Sequence, residues 1–115
     1  MTDFEPEVEF SGISFDLKEE LVRVLRGVYD PELPVNLYDL GLIYSVVRRE
    51  EGEFVITMTL TNPNCPVAET LPEEVRQVVL GVDGVERASV ELTWFPAWSV
   101  ERLSPEHRLL FSVMF

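Results

Sequence analysis

The fold class follows from residues 54–61, which read Phe-Val-Ile-Thr-Met-Thr-Leu-Thr. Bulky apolar side chains alternate with valine and threonine, which is the two-residue period of a β-strand that buries one face. Residues 42–49 predict a second strand just before it, and Gly52 lies in the short acidic segment between the two. A β-hairpin is therefore the predicted centre of the fold.

A helix is predicted before the hairpin. Apolar residues spaced three and four apart place it over about residues 16–28, with Asp16 and Glu19 at the spacing of a capping box. This helix must end before Pro31, because a proline pushes the preceding residue out of the helical region. The loop that follows, residues 30–41, contains two prolines and ends at a glycine.

A second helix is predicted after the turn formed by residues 62–66, and two starting points fit the sequence. A proline inside a helix is unfavourable by roughly 3 kcal/mol, so Pro72 must lie near the start or at a kink. In one interpretation the helix begins near Thr70, and Glu73 completes a capping box. In the other it begins at Cys65 and bends at the proline.

A third strand is predicted over residues 85–94, and residues 104–106, Ser-Pro-Glu, predict the start of a short final helix. The element order is α-β-β-α-β plus this C-terminal helix. Strands with one apolar face need a covering layer, so we expect an α+β domain, a two-layer α/β sandwich with its helices on one side of the sheet. Residues 14–115 form this single domain, and residues 1–13 are expected to be a flexible acidic lead-in.

Charge and composition exclude several classes of partner. Nine basic and twenty-one acidic residues give a net charge of −12, whereas nucleic acids and anionic membranes attract basic surfaces. No apolar run approaches the roughly 20 residues of a membrane span, and the N-terminus lacks the basic start of a signal peptide. We therefore expect a cytoplasmic protein that binds neither nucleic acid nor membrane.

Cys65 is the single cysteine, which excludes an intramolecular disulfide, a CxxC redox pair and a four-thiolate metal site within one chain. It lies between a predicted strand end and a predicted helix start. Backbone amides at a helix N-terminus stabilise a thiolate, so the position favours a reactive group. The alternative is a small buried apolar side chain, the usual role of a lone cysteine.

Other polar and aromatic residues allow weaker interpretations. His107, the only histidine, is interpreted as a solvated surface residue, although a pair with Cys65 stays open. The acidic residues of the loop 30–41 either line a site or cap turns, through hydrogen bonds between their side chains and the backbone of the loop. Threonines in the second strand fit the β-branched preference of a half-exposed strand. We expect Trp94, Phe95 and Trp98 to pack in the core and tail rather than to form a binding surface.

Two blocks of this sequence, residues 30–44 and residues 57–66, together resemble the MIP18 family, also called DUF59. Members of this family include SufT-like bacterial proteins and a eukaryotic adaptor of cytosolic iron–sulfur assembly. The resemblance runs from about residue 16 to 111 and includes the closing motif at residues 94–98. It implies an iron–sulfur assembly domain-like fold and a role in maturing iron–sulfur proteins, with Cys65 as the functional residue. The candidate supporting residues are Asp30, Asp39, Thr61, Asn64 and Glu69, of which Asp39 and Thr61 occupy matching motif positions.

The resemblance leads to a carrier or adaptor rather than an enzyme. A cluster ordinarily takes four thiolates and one chain supplies one, so we expect a transient iron–sulfur cluster and no permanently bound cofactor. The expected partners are iron–sulfur assembly proteins and client apoproteins. The sequence also leaves open whether the protein forms a homodimer. Two alternatives remain: a thiol-nucleophile enzyme, for which His107 is the only histidine base, and an interaction module with a structural Cys65.

Overall fold

The computed structural model describes residues 8–29, 36–60, 70–98 and 109. The β-strands pair in the order β1-β2-β3-β4; the two outer pairs are parallel and the central pair is antiparallel. None of the described helices is both long and apolar enough to cross a bilayer. The elements in chain order are β1 (Glu9–Ser11), α1 (Phe15–Leu25), β2 (Ile43–Arg48), a 3₁₀ turn (Glu50–Gly52), β3 (Glu53–Met58), α2 (Leu71–Leu80) and β4 (Arg87–Leu92).

The predicted hairpin is confirmed as β2 and β3. Its turn closes with the Arg49 amide donating to the Glu53 carbonyl at 2.7 Å, and Gly52 supplies the positive φ of +73° that the turn requires. The register shifts between Ile43 and Ser45. Because a bulge inserts one residue into one strand, Ile43 and Val46 both face the core although an odd number of positions separates them.

One hydrophobic core joins both helices to one face of the sheet, which confirms the two-layer architecture. The predicted alternation in β3 is observed only in part: Phe54, Ile56 and Met58 are fully buried in that core, but Val55, predicted to face the other way, is buried as well. The helices contribute the apolar faces expected from their spacing, and they contact each other. The buried core residues of the helices are Leu21 and Leu25 in α1 and Leu71, Val75 and Val79 in α2.

The start of the chain differs from the prediction. Residues 9–11, which were assigned to a flexible lead-in, form β1 and pair with β2 in parallel register. A strand of three residues shows no measurable alternation, so only its partner reveals it. The first helix begins one residue earlier than expected, at Phe15, since Ser14 is its N-cap and accepts from the Leu17 amide at 3.3 Å. Asp16 lies inside the first turn instead of capping it.

The two interpretations of the second helix are also resolved. α2 begins at Leu71, so Pro72 stands in the first turn, where its missing N–H breaks no helical hydrogen bond. The capping box is not formed: the Glu73 carboxylate instead accepts from Arg76 and Gln77 on its own helix. Residues 104–106, where the final helix was predicted to start, lie outside the described residues.

Candidate functional site

One end of the sheet brings together the segments that carry the predicted site. β3 and β4 are parallel, so both end here, and the Thr93 amide donates to the Met58 carbonyl at 2.8 Å. The Thr59 amide donates to the carbonyl of Leu42 at 2.8 Å, which joins this end of β3 to the turn before β2. The described range therefore ends, at Leu60, beside that turn, and residues 61–69 follow from this point.

Most of the predicted site residues lie on segments that the structure does not describe. Asp39 is the one candidate within the described residues, so the meeting of Asp39 with Cys65 stays a prediction. The expectation that helix-terminal amides stabilise a Cys65 thiolate also stays a prediction, because α2 begins at Leu71 and Cys65 lies outside the described residues. The predicted residues outside the described ranges are Asp30, Thr61, Asn64, Cys65, Glu69 and His107.

The turn that carries Asp39, residues 36–42, leads into β2 and is largely buried. Its amides at Leu40, Gly41 and Leu42 donate to carbonyls within the turn at 3.0–3.2 Å. Gly41 adopts a φ of +79°, which a residue with a side chain rarely tolerates. Leu37, Leu40 and Leu42 are fully buried, so the turn is anchored in the hydrophobic core.

The Asp39 carboxylate is held by two side chains. Arg26 Nε donates to one oxygen at 3.1 Å, and Asn36 Nδ2 donates to the other at 2.8 Å. Asn36 also accepts from the Asp39 amide at 2.8 Å, which closes a reciprocal pair. The guanidinium lies 5.1 Å from the centre of the Tyr38 ring, within cation–π distance. These two hydrogen bonds tie the Asp39 carboxylate into the turn.

Sequence reasoning missed Arg26 and Asn36 as part of this site. Asn36 carried a signal, because an asparagine side chain can accept from the backbone amide three residues on, as an N-cap residue does. Arg26 carried none, since it lies 13 residues from Asp39 and only the fold brings the two together.

Thr59 is the single buried polar residue recorded within the described part of the chain. It was expected on a half-exposed face, but it is completely buried where β3 ends. Among the described residues, its hydroxyl has one hydrogen-bond partner, the Leu60 carbonyl at 3.5 Å, which is long for an O–H donor. The prediction of partial exposure is thus wrong for Thr59, although it holds for Thr57 two residues earlier.

Three exposed apolar side chains lie at the same end of the sheet: Leu92, Trp94 and Phe95. We call them the aromatic patch, after the two aromatic rings. All three side chains are exposed, Phe95 by 88%. The expectation of core and tail packing is therefore wrong for Trp94 and Phe95. It is correct for Trp98, which packs against the core and donates from its indole nitrogen to the Leu40 carbonyl at 2.6 Å.

The N-terminal end of α2 adds negative charge to this region. Glu73 and Glu74 occupy its first turn, where the helix dipole favours anions. Hydrogen bonds from Arg76 and Gln77 lower the pKa of Glu73 to about 2, so the side chain stays ionised at physiological pH. Within residues 8–29, 36–60 and 70–98, no group of three or more histidine, cysteine or acidic side chains is placed to hold a metal ion.

Comparison with known proteins identifies the family. A family model described as "Iron-sulfur cluster assembly protein" matches residues 18–92. A "Fe-S protein maturation auxiliary factor" of Porphyromonas gingivalis is 50% identical over 92 residues, covering 80% of this chain and 88% of that protein. The auxiliary factor YitW of Bacillus subtilis is 39% identical over 88 residues, covering 76% of this chain and 86% of its own length.

The fold agrees with the sequence comparison. The crystal structure of a DUF59 domain from Bacillus anthracis matches with a TM-score of 0.76 and 35% identity, over 85% of this chain and 93% of that chain. The resemblance found in the sequence is thereby confirmed, and this chain belongs to the DUF59 family of iron–sulfur cluster assembly proteins.

Proposed function

We propose that this protein acts in the maturation of iron–sulfur proteins as a carrier or adaptor, and that the Cys65 thiolate is the group that handles the cluster. The observation that carries the first part is the family, since two relatives covered over most of their length are maturation auxiliary factors. Cys65 follows from ligand chemistry: clusters are held by thiolates, and the chain contains one cysteine.

The cluster is cargo in this proposal rather than a resident cofactor. One chain supplies one thiolate, so the remaining ligands must come from a donor, a client apoprotein, a small thiol or a second copy. The step is a ligand exchange without redox change. The Cys65 thiol loses its proton to become the thiolate, an iron–thiolate bond to the donor breaks, a bond from iron to Cys65 Sγ forms, and the departing thiolate takes up the proton.

The supporting residues divide into two groups. Asp39 acts by holding the turn 36–42 beside the chain's entry into residues 61–69, because Arg26 and Asn36 occupy its carboxylate. Asp30, Thr61, Asn64 and Glu69 are proposed to surround Cys65. Asp39 or Glu69 can add a carboxylate oxygen as a ligand to iron.

The same proposal gives the protein no covalent product of its own, so it is an adaptor or carrier and not an enzyme. Its partners are iron–sulfur assembly proteins and client apoproteins, and its place of action is the cytoplasm. The net charge of −12 supports the absence of nucleic-acid binding. A thiol enzyme would require a base, and loss of function in His107→Ala would favour that alternative.

The test is anaerobic reconstitution of the wild-type protein and Cys65→Ser with iron and sulfide, followed by transfer of the cluster to an apo-ferredoxin. Visible absorbance and iron content measure uptake. Wild type alkylated with iodoacetamide is the matched control, because Cys65 is the only thiol. We expect uptake in the untreated wild type alone. Equal uptake in Cys65→Ser would exclude the cysteine as cluster ligand, and no uptake in any sample would exclude a cluster held by this protein alone and favour the adaptor role.

A further inference from the structure

Two members of the aromatic patch, Trp94 and Phe95, follow the end of β4 on a segment that hydrogen bonds hold in place. The Thr93 hydroxyl is 3.0 Å from the Phe95 carbonyl and 3.3 Å from the Phe95 amide. The Tyr44 hydroxyl donates to the Pro96 carbonyl at 2.6 Å. After Pro96, the Trp98 indole nitrogen donates to the Leu40 carbonyl. The backbone around Phe95 is therefore fixed to β2 and to the turn 36–42, while its ring stays in solvent.

The exposure is not the ordinary consequence of a polar strand face. Ala88 and Val90, on the same side of β4, pack against the core, and by alternation Leu92 and Trp94 continue that side. The apolar side of the strand thus runs beyond the core at the end of the sheet where the chain enters residues 61–69. β4 is also an edge of the described sheet. An exposed apolar patch next to a strand edge is typical of a protein-binding surface.

The size of the patch decides between two kinds of occupant. Aromatic side chains bury about 150–250 Å² each when enclosed, so at the observed exposures the patch offers on the order of 300–400 Å². A stable dimer needs roughly 800 Å² per partner. Two copies would also bring together two chains of net charge −12 each. Area and charge therefore both favour a transient contact with a different, basic protein.

We propose that the aromatic patch is a docking surface for a partner protein whose contacting segment carries a bulky apolar side chain flanked by basic residues. Phe95 supplies the anchor, and the acidic surface of the protein attracts the flanking cations. The inference builds on the proposed function, because the partner is a protein that delivers or receives the cluster. Its test involves neither Cys65 nor a cluster, so the two proposals can fail separately.

The test uses short synthetic peptides with a central Leu-Phe pair, flanked either by lysines or by aspartates, and a lysine peptide without the pair. Calorimetric titration of the intact protein at low salt measures binding. We expect the lysine-flanked Leu-Phe peptide to bind and the other two to fail. Phe95→Ser should weaken binding about tenfold or more. Phe15→Ser is the matched control, because Phe15 is 70% exposed on α1, away from the patch, and should bind as wild type.

Four results would overturn the proposal. The first is absence of binding by the lysine-flanked peptide, and the second is equal binding by Phe95→Ser. A concentration-dependent dimer that Phe95→Ser abolishes, seen by analytical ultracentrifugation, would make a second copy the occupant. Protection of Trp94 from acrylamide quenching in the monomer, measured against Trp94→Phe, would mean that the protein's own chain covers the patch.

Discussion

Replacing Asp39 by alanine tests whether this residue holds the turn 36–42 or binds cargo directly. Asp39→Ala removes two hydrogen bonds, from Arg26 at 3.1 Å and from Asn36 at 2.8 Å. The side chains of Arg26 and Asp39 are 38% and 23% exposed, so solvent screens their pairing and it contributes about 0.5 kcal/mol. The Asn36 bond to a charged, mostly buried acceptor contributes about 1.5 kcal/mol.

We therefore expect Asp39→Ala to lower the free energy of unfolding by about 2 kcal/mol, and Tm by roughly 10 °C. Urea unfolding measures the change as a lower midpoint at an unchanged m-value. Asp83→Ala is the matched control, because Asp83 is exposed and should change stability by less than about 0.5 kcal/mol. Asn36→Ala should cost at least as much as Asp39→Ala, since Asn36 also accepts from the Asp39 amide.

The reasoning would be refuted by an Asp39→Ala protein whose stability lies within about 0.5 kcal/mol of wild type but which no longer transfers a cluster. Asp39 would then act on cargo rather than on the turn. An Asn36/Asp39 double-mutant cycle makes the same distinction, because a structural pair should show a coupling energy of about 1 kcal/mol.

Two further predictions concern stability. Thr59→Val should raise the free energy of unfolding by about 1 kcal/mol, because it removes a buried hydroxyl with one long contact; the half-exposed Thr57→Val should not, and thermal melts compare the two. The pKa of Glu73 is lowered in the folded state from 4.5 to about 2. Its stabilising contribution is therefore complete above pH 4.5 and is lost as pH falls toward 2. Glu73→Gln should flatten the pH dependence of urea midpoints in this window, and an unchanged slope would contradict the pairing with Arg76.

The sequence predicted the elements whose signal is local. Alternation identified β3, helical spacing identified α1 and α2, and a turn signal identified the hairpin, because each pattern depends on neighbours within a few residues. The two motif blocks identified the family, and with it the single cysteine as the proposed functional group.

The residues of the candidate site stay a prediction, and the one that lies within the described residues has partners that the sequence did not indicate. Asp39 was singled out, yet its partner Arg26 lies on another element and no spacing rule joins the two. The N-cap was assigned to Asp16 although Ser14 fills it, because two polar residues near a helix start satisfy similar patterns and only backbone geometry distinguishes them.

By itself, the sequence determined the apolar faces, the order of the elements from α1 to β4 and the presence of one thiol. Tertiary structure alone decided what covers each face. It placed β1 beside β2, buried Thr59 at the end of β3 and left Phe95 in solvent. It also tied Trp98 to Leu40, 58 residues away. The physical reason is that periodicity records which side of an element is apolar, whereas burial depends on whether another part of the chain reaches that side.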